Sequence, residues 1–338
     1  MTRLPALLSV LASLLAAVLP ARAADERLWP VGQRSLPAAP LALEQTGEGA
    51  LLRLADGSAW AVGWEDGSPS LTATDPPPRA REPGMLPDGG IALGTGVIRR
   101  AWFAEPTEEY GHAILGDGIE AKALAIETAD GALLTLRAPQ GTVFEDLTPR
   151  LWDLDADGEA EAWVIRAGPR EGARLEAYAI HQGEFILRFA TDPIGQGYRW
   201  LNPVGVADFT GDGQREVALV RTPHIGGILT LYRPAGVYLE RVMRVPGFSN
   251  HAIGSRALGL SWIGDIDGDG AADILLPGQS RRELAAFGMA DGGFRILGAS
   301  ERTGHIETGF AALQPETGGR VIVFADDTPS LRWLRLPE

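Results

Sequence analysis

Residues 265–276 read DIDGDGAADILL, placing four aspartates within nine residues directly ahead of an apolar run. Like charges this close repel, so the stretch can be compact only if something neutralises them. DLDADGEAEAWVI at 153–165 and DFTGDGQREVALV at 208–220 repeat the arrangement. Their Asp-Gly steps, at 157–158, 212–213 and 269–270, lie 55 and 57 residues apart, a spacing that marks an internal repeat. Apolar strand-like runs follow each step at 162–165, 217–220 and 274–276, and further strand candidates such as LEAYAIH, EFILRFA and ILTLYRP fill the intervals.

The repeat therefore amounts to four short strands in about 50 residues, separated by glycine-rich turns. Weaker copies extend it: HAILGDGIEAKALAIET at 112–128, GFAALQPETGGRVIVFAD at 309–326, and ALLRLADGSAWAVGW at 50–64. No sustained 3.6-residue apolar period occurs after the first two dozen residues, so helix content should be low. The expected fold is all-β: a single propeller over 24–338 with six or seven four-stranded blades, radial packing burying both faces of each sheet. A strand within 27–43 is expected to complete the last blade and close the ring. The run DPPPRAREPGMLP at 75–87 reads as an irregular surface loop inside the first repeat.

Aligned, the three strong stretches give D-x-[DT]-x-D-G-x-x-[DE]. Oxygen donors fall at positions 1, 3, 5 and 9, position 7 contributes a backbone carbonyl, and glycine at position 6 permits a sharp bend. The first turn offers Asp153, Asp155, Asp157, Glu159 and Glu161, and the third offers Asp265, Asp267, Asp269, Ala271 and Asp273. The second offers Asp208, Thr210, Asp212, Gln214 and Glu216; one charge fewer makes it the weakest expected site. Oxygen donors without His or Cys favour Ca²⁺ over zinc or copper, so two to three calcium ions are expected. An EF-hand is excluded because its position 12 would be Val164, Leu219 or Leu276, each inside an apolar strand. Asp-Gly turns also occur without metal, but three in register argue for one.

With this turn set between strands and repeated at this spacing, the chain resembles the FG-GAP or VCBS repeats of integrin-α-like β-propellers found in exported bacterial-type proteins. The resemblance implies that each acidic turn joins the two innermost strands of a blade and that its oxygens bind calcium. The FG and GAP elements themselves are poorly kept, and Thr210 replaces an acid. Such folds carry many activities, so none follows from the fold alone.

A second set of polar residues sits at the junctions between repeats. Both asparagines, Asn202 and Asn250, precede expected innermost strands; His112, His251 and His305 occupy similar places, with Arg150, Arg199 and Arg256 nearby. In a propeller these junctions gather around the channel mouth and could form a pocket for an anionic or sugar-like ligand. The competing reading is structural, since turn residues of these types satisfy buried backbone groups.

The N-terminus, MTRLPALLSVLASLLAAVLPARA, has a positive start, an apolar centre and the small-x-small step Ala21-Arg22-Ala23, the pattern of a signal peptide over 1–23 cleaved after Ala23. Export to the periplasm or beyond follows, with no integral membrane span in the mature chain. There is no cysteine, so no disulfide can staple the loops. With 44 acidic against 30 basic residues and a net charge of −14, nucleic acid is an unfavourable partner. No G-x-S-x-G, H-E-x-x-H or phosphate-loop signature appears. The expectation is a monomeric, non-catalytic calcium-binding module for a protein or glycan ligand. The alternative is a propeller lyase or hydrolase acting on a carbohydrate or other extracellular polymer at the channel mouth.

Overall fold

The computed structural model describes residues 28–47, 49–76 and 78–337, and the leader expected at 1–23 lies outside them. The described residues form strands and turns without a helix, so none is long and apolar enough to cross a membrane. Antiparallel pairing groups most strands into six units of four; Val143–Phe144 and the single pair Ala190↔Tyr238 link units two, three and four into one continuous sheet, and Leu28–Trp29 adds to unit five in parallel. Unit one runs Pro40–Thr46, Gly49–Leu54, Ala59–Glu65 and Ser68–Ala73. Unit two runs Ala92–Leu93, Ile98–Thr107, Glu120–Thr128 and Leu133–Arg137. Units three and four follow as Arg150–Trp152, Glu161–Gly168, Gly172–His181 and Glu184–Ala190, then Leu201–Ala207, Glu216–Arg221, Ile228–Ala235 and Tyr238–Pro246. Unit five comprises Trp262–Gly264, Asp273–Pro277, Leu284–Ala290 and Gly293–Ser300. Unit six has Ala311–Leu313, Val321–Ala325 and Ser330–Arg335, and its fourth strand is the N-terminal Val31–Ser35, paired antiparallel from Val31↔Leu334 to Ser35↔Ser330.

Burial explains why each unit is four strands deep. Second strands such as EAWVIRAG and VIVFA are buried on both faces, because neighbouring units cover both sides. Fourth strands such as LLTLR and EFILRFA alternate exposed and half-buried over most of their length, as a strand wetted on one face should. Shared apolar cores join units two, three and four, then four and five, five and six, and six and one. First strands or their approaches from all six units, including Leu43, Ile91, Arg150, Val204, Ser261 and Phe310, line one cavity of about 1040 Å³. Sheets that share cores in sequence order around a common cavity make a propeller-like arrangement.

Two elements differ from the sequence reading. Asp56-Gly57 and Gly116-Asp117-Gly118 join second to third strands, not first to second, so 50–64 and 112–128 are offset by one strand from the acidic turns. The reason is chemical: Asp-Gly suits any tight reversal and does not say which hairpin it closes. The Pro-rich run lies between units one and two, and it is not wholly superficial, since Met85 and Leu86 are buried and Met85 bridges Ala104. The strand expected within 27–43 to pair with the last unit is Val31–Ser35, while Pro40 onward opens unit one. Trp163 and Trp200 are core residues, the Trp163 indole donating to the Trp152 carbonyl at 3.1 Å.

Leu334 is fully buried where the two chain ends meet, whereas Leu41 is 62% exposed. Leu334→Ala should cost about 2–5 kcal/mol by urea unfolding, and Leu41→Ala less than about 0.5 kcal/mol. Equal effects would show that the seam does not carry stability.

Candidate functional site

The three acidic turns each join the first to the second strand, in units three, four and five. Their internal bonding is the same. The first aspartate caps the turn: Asp153 accepts from the N–H of Asp157 (3.2 Å) and Gly158 (3.1 Å), Asp208 from Gly211 (2.7 Å) and Gly213 (2.8 Å), and Asp265 from Gly268 (2.7 Å) and Gly270 (3.1 Å). The fifth-position aspartates accept the N–H of Glu159, Gln214 and Ala271 at 2.8–2.9 Å. The position-6 glycines have φ of +93°, +88° and +88°, a region other residues avoid. The ninth-position acid starts the second strand and turns back, so that Glu161, Glu216 and Asp273 accept the N–H of Leu154, Phe209 and Ile266 at 3.3, 3.0 and 2.7 Å. All three of these acids are buried.

What differs is the counter-charge. In unit four the Arg233 guanidinium enters the turn, bonding Glu216 Oε1, Thr210 Oγ1 (3.0 Å) and Asp212 Oδ2 (2.9 Å). Arg233 reaches it from the third strand, one residue beyond Tyr232, the cross-strand partner of Val217. Its counterpart in unit five, one beyond Phe287, is Gly288, where a Cβ would fall 1.8 Å from Asp273 Oδ1. That position therefore sends no side chain into the turn. Asp265, Asp267 and Asp269 bring ligand oxygens within 4.8 Å of one another, and no ion pair reaches them or Asp273 among the described residues. Asp273 Oδ1 is buried without a hydrogen-bond partner. Burial, and then the charges of Asp267 and Asp269, push the Asp273 carboxyl up to about 7 against the pull of the Ile266 N–H.

Unit three is intermediate. Asp153, Asp155 and Asp157 also converge within 4.8 Å, and burial pushes Glu161 up to about 7. Arg188 pairs with Asp155 at 2.5 Å and Arg215 with Asp153 at 3.3 Å, both from the exposed rim. The Glu159 side chain reaches unit two, accepting the Val97 N–H at 2.7 Å.

The junction residues lie towards the opposite ends of the units, Arg150 and Asn202 at the starts of first strands and the others on loops joining second to third strands or one unit to the next. Asn202 and Asn250 are buried and spend their amides on each other's carbonyls (3.1 and 3.4 Å), with Asn202 also donating to Leu258 O (2.9 Å). Arg150 pairs with Asp146 and reaches Asn202 Oδ1 at 3.5 Å; Arg256 holds Asp88 and Asp117, both at 2.7 Å. Only Arg150 and Arg256 of the eight line the central cavity. Arg199 bonds the Tyr198 carbonyl (3.1 Å), and His305 sits between Asp327 (3.0 Å) and Arg282 (3.2 Å). His112 bonds the buried Glu145 at 2.5 Å, with burial pushing Glu145 up to about 7. His251 meets His224 at 2.8 Å and the Ser255 carbonyl at 2.9 Å.

Sequence reading passed over His224, Arg233, Glu145 and Arg281. His224 was open to discovery, because its TPHIGG turn resembles the other histidine-bearing loops. The other three become informative only through contacts distant in the chain.

No family model and no curated protein matches the chain. Solved structures resemble it weakly. The Photorhabdus luminescens Tc holotoxin pore aligns at 14% identity and TM-score 0.38 over 92% of this chain and 15% of that one. The Toxoplasma gondii coronin WD40 domain aligns at 9% identity and TM-score 0.42 over 93% and 89%. A chain of the S. cerevisiae Dbp5 assembly with Nup159, Gle1, IP6 and ADP aligns at 10% identity and TM-score 0.43 over 91% and 94%. Such values define neither a family nor a function.

Burial holds the His251 imidazole at about 3 and His224 at about 4, well below 6.5. The unfolded chain therefore binds more protons than the folded one as pH falls below about 6.5, and stability drains in that direction. Titrating carboxylates act oppositely, so the comparison is with a variant. Urea unfolding at pH 7.5 and 5.0 should show His224→Asn/His251→Asn losing less stability on acidification than the parent, by an uptake of up to about two protons.

Proposed function

We propose that the chain is an exported, six-bladed β-propeller, closed by its N-terminal strand, that binds calcium at two turns and serves as a non-catalytic binding module. The observation that carries this reading is the contrast between units four and five. Where Arg233 supplies a positive charge, the turn is complete in itself; where Gly288 stands instead, converging carboxylates and a buried unpartnered oxygen are left without one. A hard divalent ion satisfies oxygen-only donors of this kind. Asp265, Asp267, Asp269 and Asp273 would hold one ion, and Asp153, Asp155, Asp157 and Glu161 a second, with the position-7 carbonyls of Ala271 and Glu159 as further donors. The sequence expectation of two to three ions narrows to two.

Calcium would do here what disulfides do in other exported proteins: fix the inner edge of a blade. Periplasmic or extracellular placement rests on the leader pattern, and a closed single-chain ring is consistent with a monomer. A protein or glycan ligand suits a rigid module of this size. The lyase or hydrolase reading has less support, because Asn202, Asn250 and His251 are buried and bonded within the fold.

Titration of chelated protein should register two calcium ions, and Asp267→Asn/Asp269→Asn should remove one. EGTA should lower the melting temperature; an unchanged melting temperature and protease pattern would rule out the calcium reading. Arg233→Gly should be less stable in EGTA, recover at about 1 mM Ca²⁺, and bind a third ion.

A further inference from the structure

The loops opposite the acidic turns hold several buried polar groups left without partners. Non-glycine residues with positive φ occur on both rims: Ala113, Tyr198, Thr222 and Arg281 here, between +47° and +54°, and Asp66, Ala156, Gln182 and Asp291 on the rim of the acidic turns. Four of the eight buried side-chain atoms lacking a hydrogen bond belong to the same loops: Tyr110 Oη, Glu145 Oε2, Asn250 Oδ1 and Arg281 Nε. Three large apolar side chains are also left in water there, Tyr198 at 47%, Ile225 at 61% and Ile253 at 69% exposure.

Contacts link these groups through the buried Glu145, Trp200 and His251. Tyr198 stacks on Tyr110 (5.0 Å, 3°), and His112 stands edge-on to both rings. His112 bonds Glu145, whose carbonyl accepts the Trp200 indole N–H at 3.0 Å. Trp200 packs on His224 and His251 (6.2 and 4.7 Å), and Gln279 ties the loop ahead of Arg281 to Pro223 at 3.2 Å. Arg281 follows that tether by two residues on the same loop, its carbonyl accepts the Ile306 N–H at 2.8 Å, and its Nε is buried without a partner. After burial, its charge is a further cause of the lowered His224 and His251 imidazoles, and no ion pair holds it among the described residues.

Hydrogen bonding fixes the imidazole tautomers. The Ser255 carbonyl can only accept, so His251 Nε2 carries the proton and Nδ1 accepts from His224 Nε2. A neutral His224 then keeps a bare acceptor, Nδ1, on a half-buried ring. The surface offers a guanidinium for an anion, a ring nitrogen for a hydroxyl and an exposed aromatic face.

We propose that this face binds an acidic oligosaccharide, with Arg281 taking a ring carboxylate, His224 Nδ1 accepting from a hydroxyl and Tyr198 carrying a sugar face. Arginine matches a carboxylate bidentately, and a sugar ring's C–H face covers an aromatic ring while its hydroxyls stay bonded. None of these groups touches the acidic turns, so the site stands whether or not those turns hold calcium.

The test uses the full mature chain with calcium present and follows tryptophan fluorescence and calorimetry. Tetragalacturonate should bind, and maltotetraose should bind at least tenfold more weakly. Arg281→Asn, chosen because asparagine tolerates positive φ, should weaken tetragalacturonate at least tenfold while leaving the melting temperature and calcium stoichiometry unchanged. His224→Phe should weaken it by a smaller factor. Absence of tetragalacturonate binding, equal binding of the neutral sugar, or equal binding by Arg281→Asn overturns the proposal. Arg281-dependent binding of tetraglutamate in place of the sugar overturns the ligand class. Failure of calcium to bind would leave every one of these readouts interpretable.

Discussion

A carboxylate buried at the start of a second strand is the constraint from which the acidic turns follow. Glu161, Glu216 and Asp273 each close the turn by accepting a backbone N–H from its second residue, which brings a negative charge inside beside two or three others. A buried charge must be paired, and the chain meets that demand in different ways. Unit four uses an arginine from its own third strand. Unit five clears the same position down to a glycine. On the calcium reading proposed above, one turn architecture would accept either a covalently attached cation or a diffusible one, according to the residue at this cross-strand position.

Much of this was legible in sequence, and the part that was not has a definite cause. The period, the strand content and the placement of the three acidic turns are local signals, written in residues a few positions apart. The roles of Asp56-Gly57 and Gly116-Asp117-Gly118 were misread because a dipeptide specifies a reversal and not its place in a sheet. Arg233 and Gly288 lie 17 and 15 residues from Glu216 and Asp273, and only the strand register sets them opposite those acids. The junction residues were recognised by type, but whether Asn202 faces solvent or a neighbouring carbonyl depends on how units dock.

The molecule divides its chemistry between two rims. On one, a similar set of turn hydrogen bonds recurs in three units, and Asp155 Oδ1 and Asp273 Oδ1 are left buried without partners. On the other, Tyr110, Glu145, Asn250 and Arg281 each keep such an atom, and Tyr198, Ile225 and Ile253 stand in water. The first deficit is one of carboxylate oxygens, and the second mixes donors, acceptors and exposed apolar groups.

The pairing of Val31–Ser35 with Ser330–Arg335 has a temporal consequence. The two strands are separated by about 300 residues of sequence. Until they meet, Ser330–Arg335 is the open edge of a three-stranded sheet, able to recruit a foreign strand. Folding of the sixth unit therefore depends on a long-range contact, and a partly folded chain lacking it exposes an aggregation-prone edge.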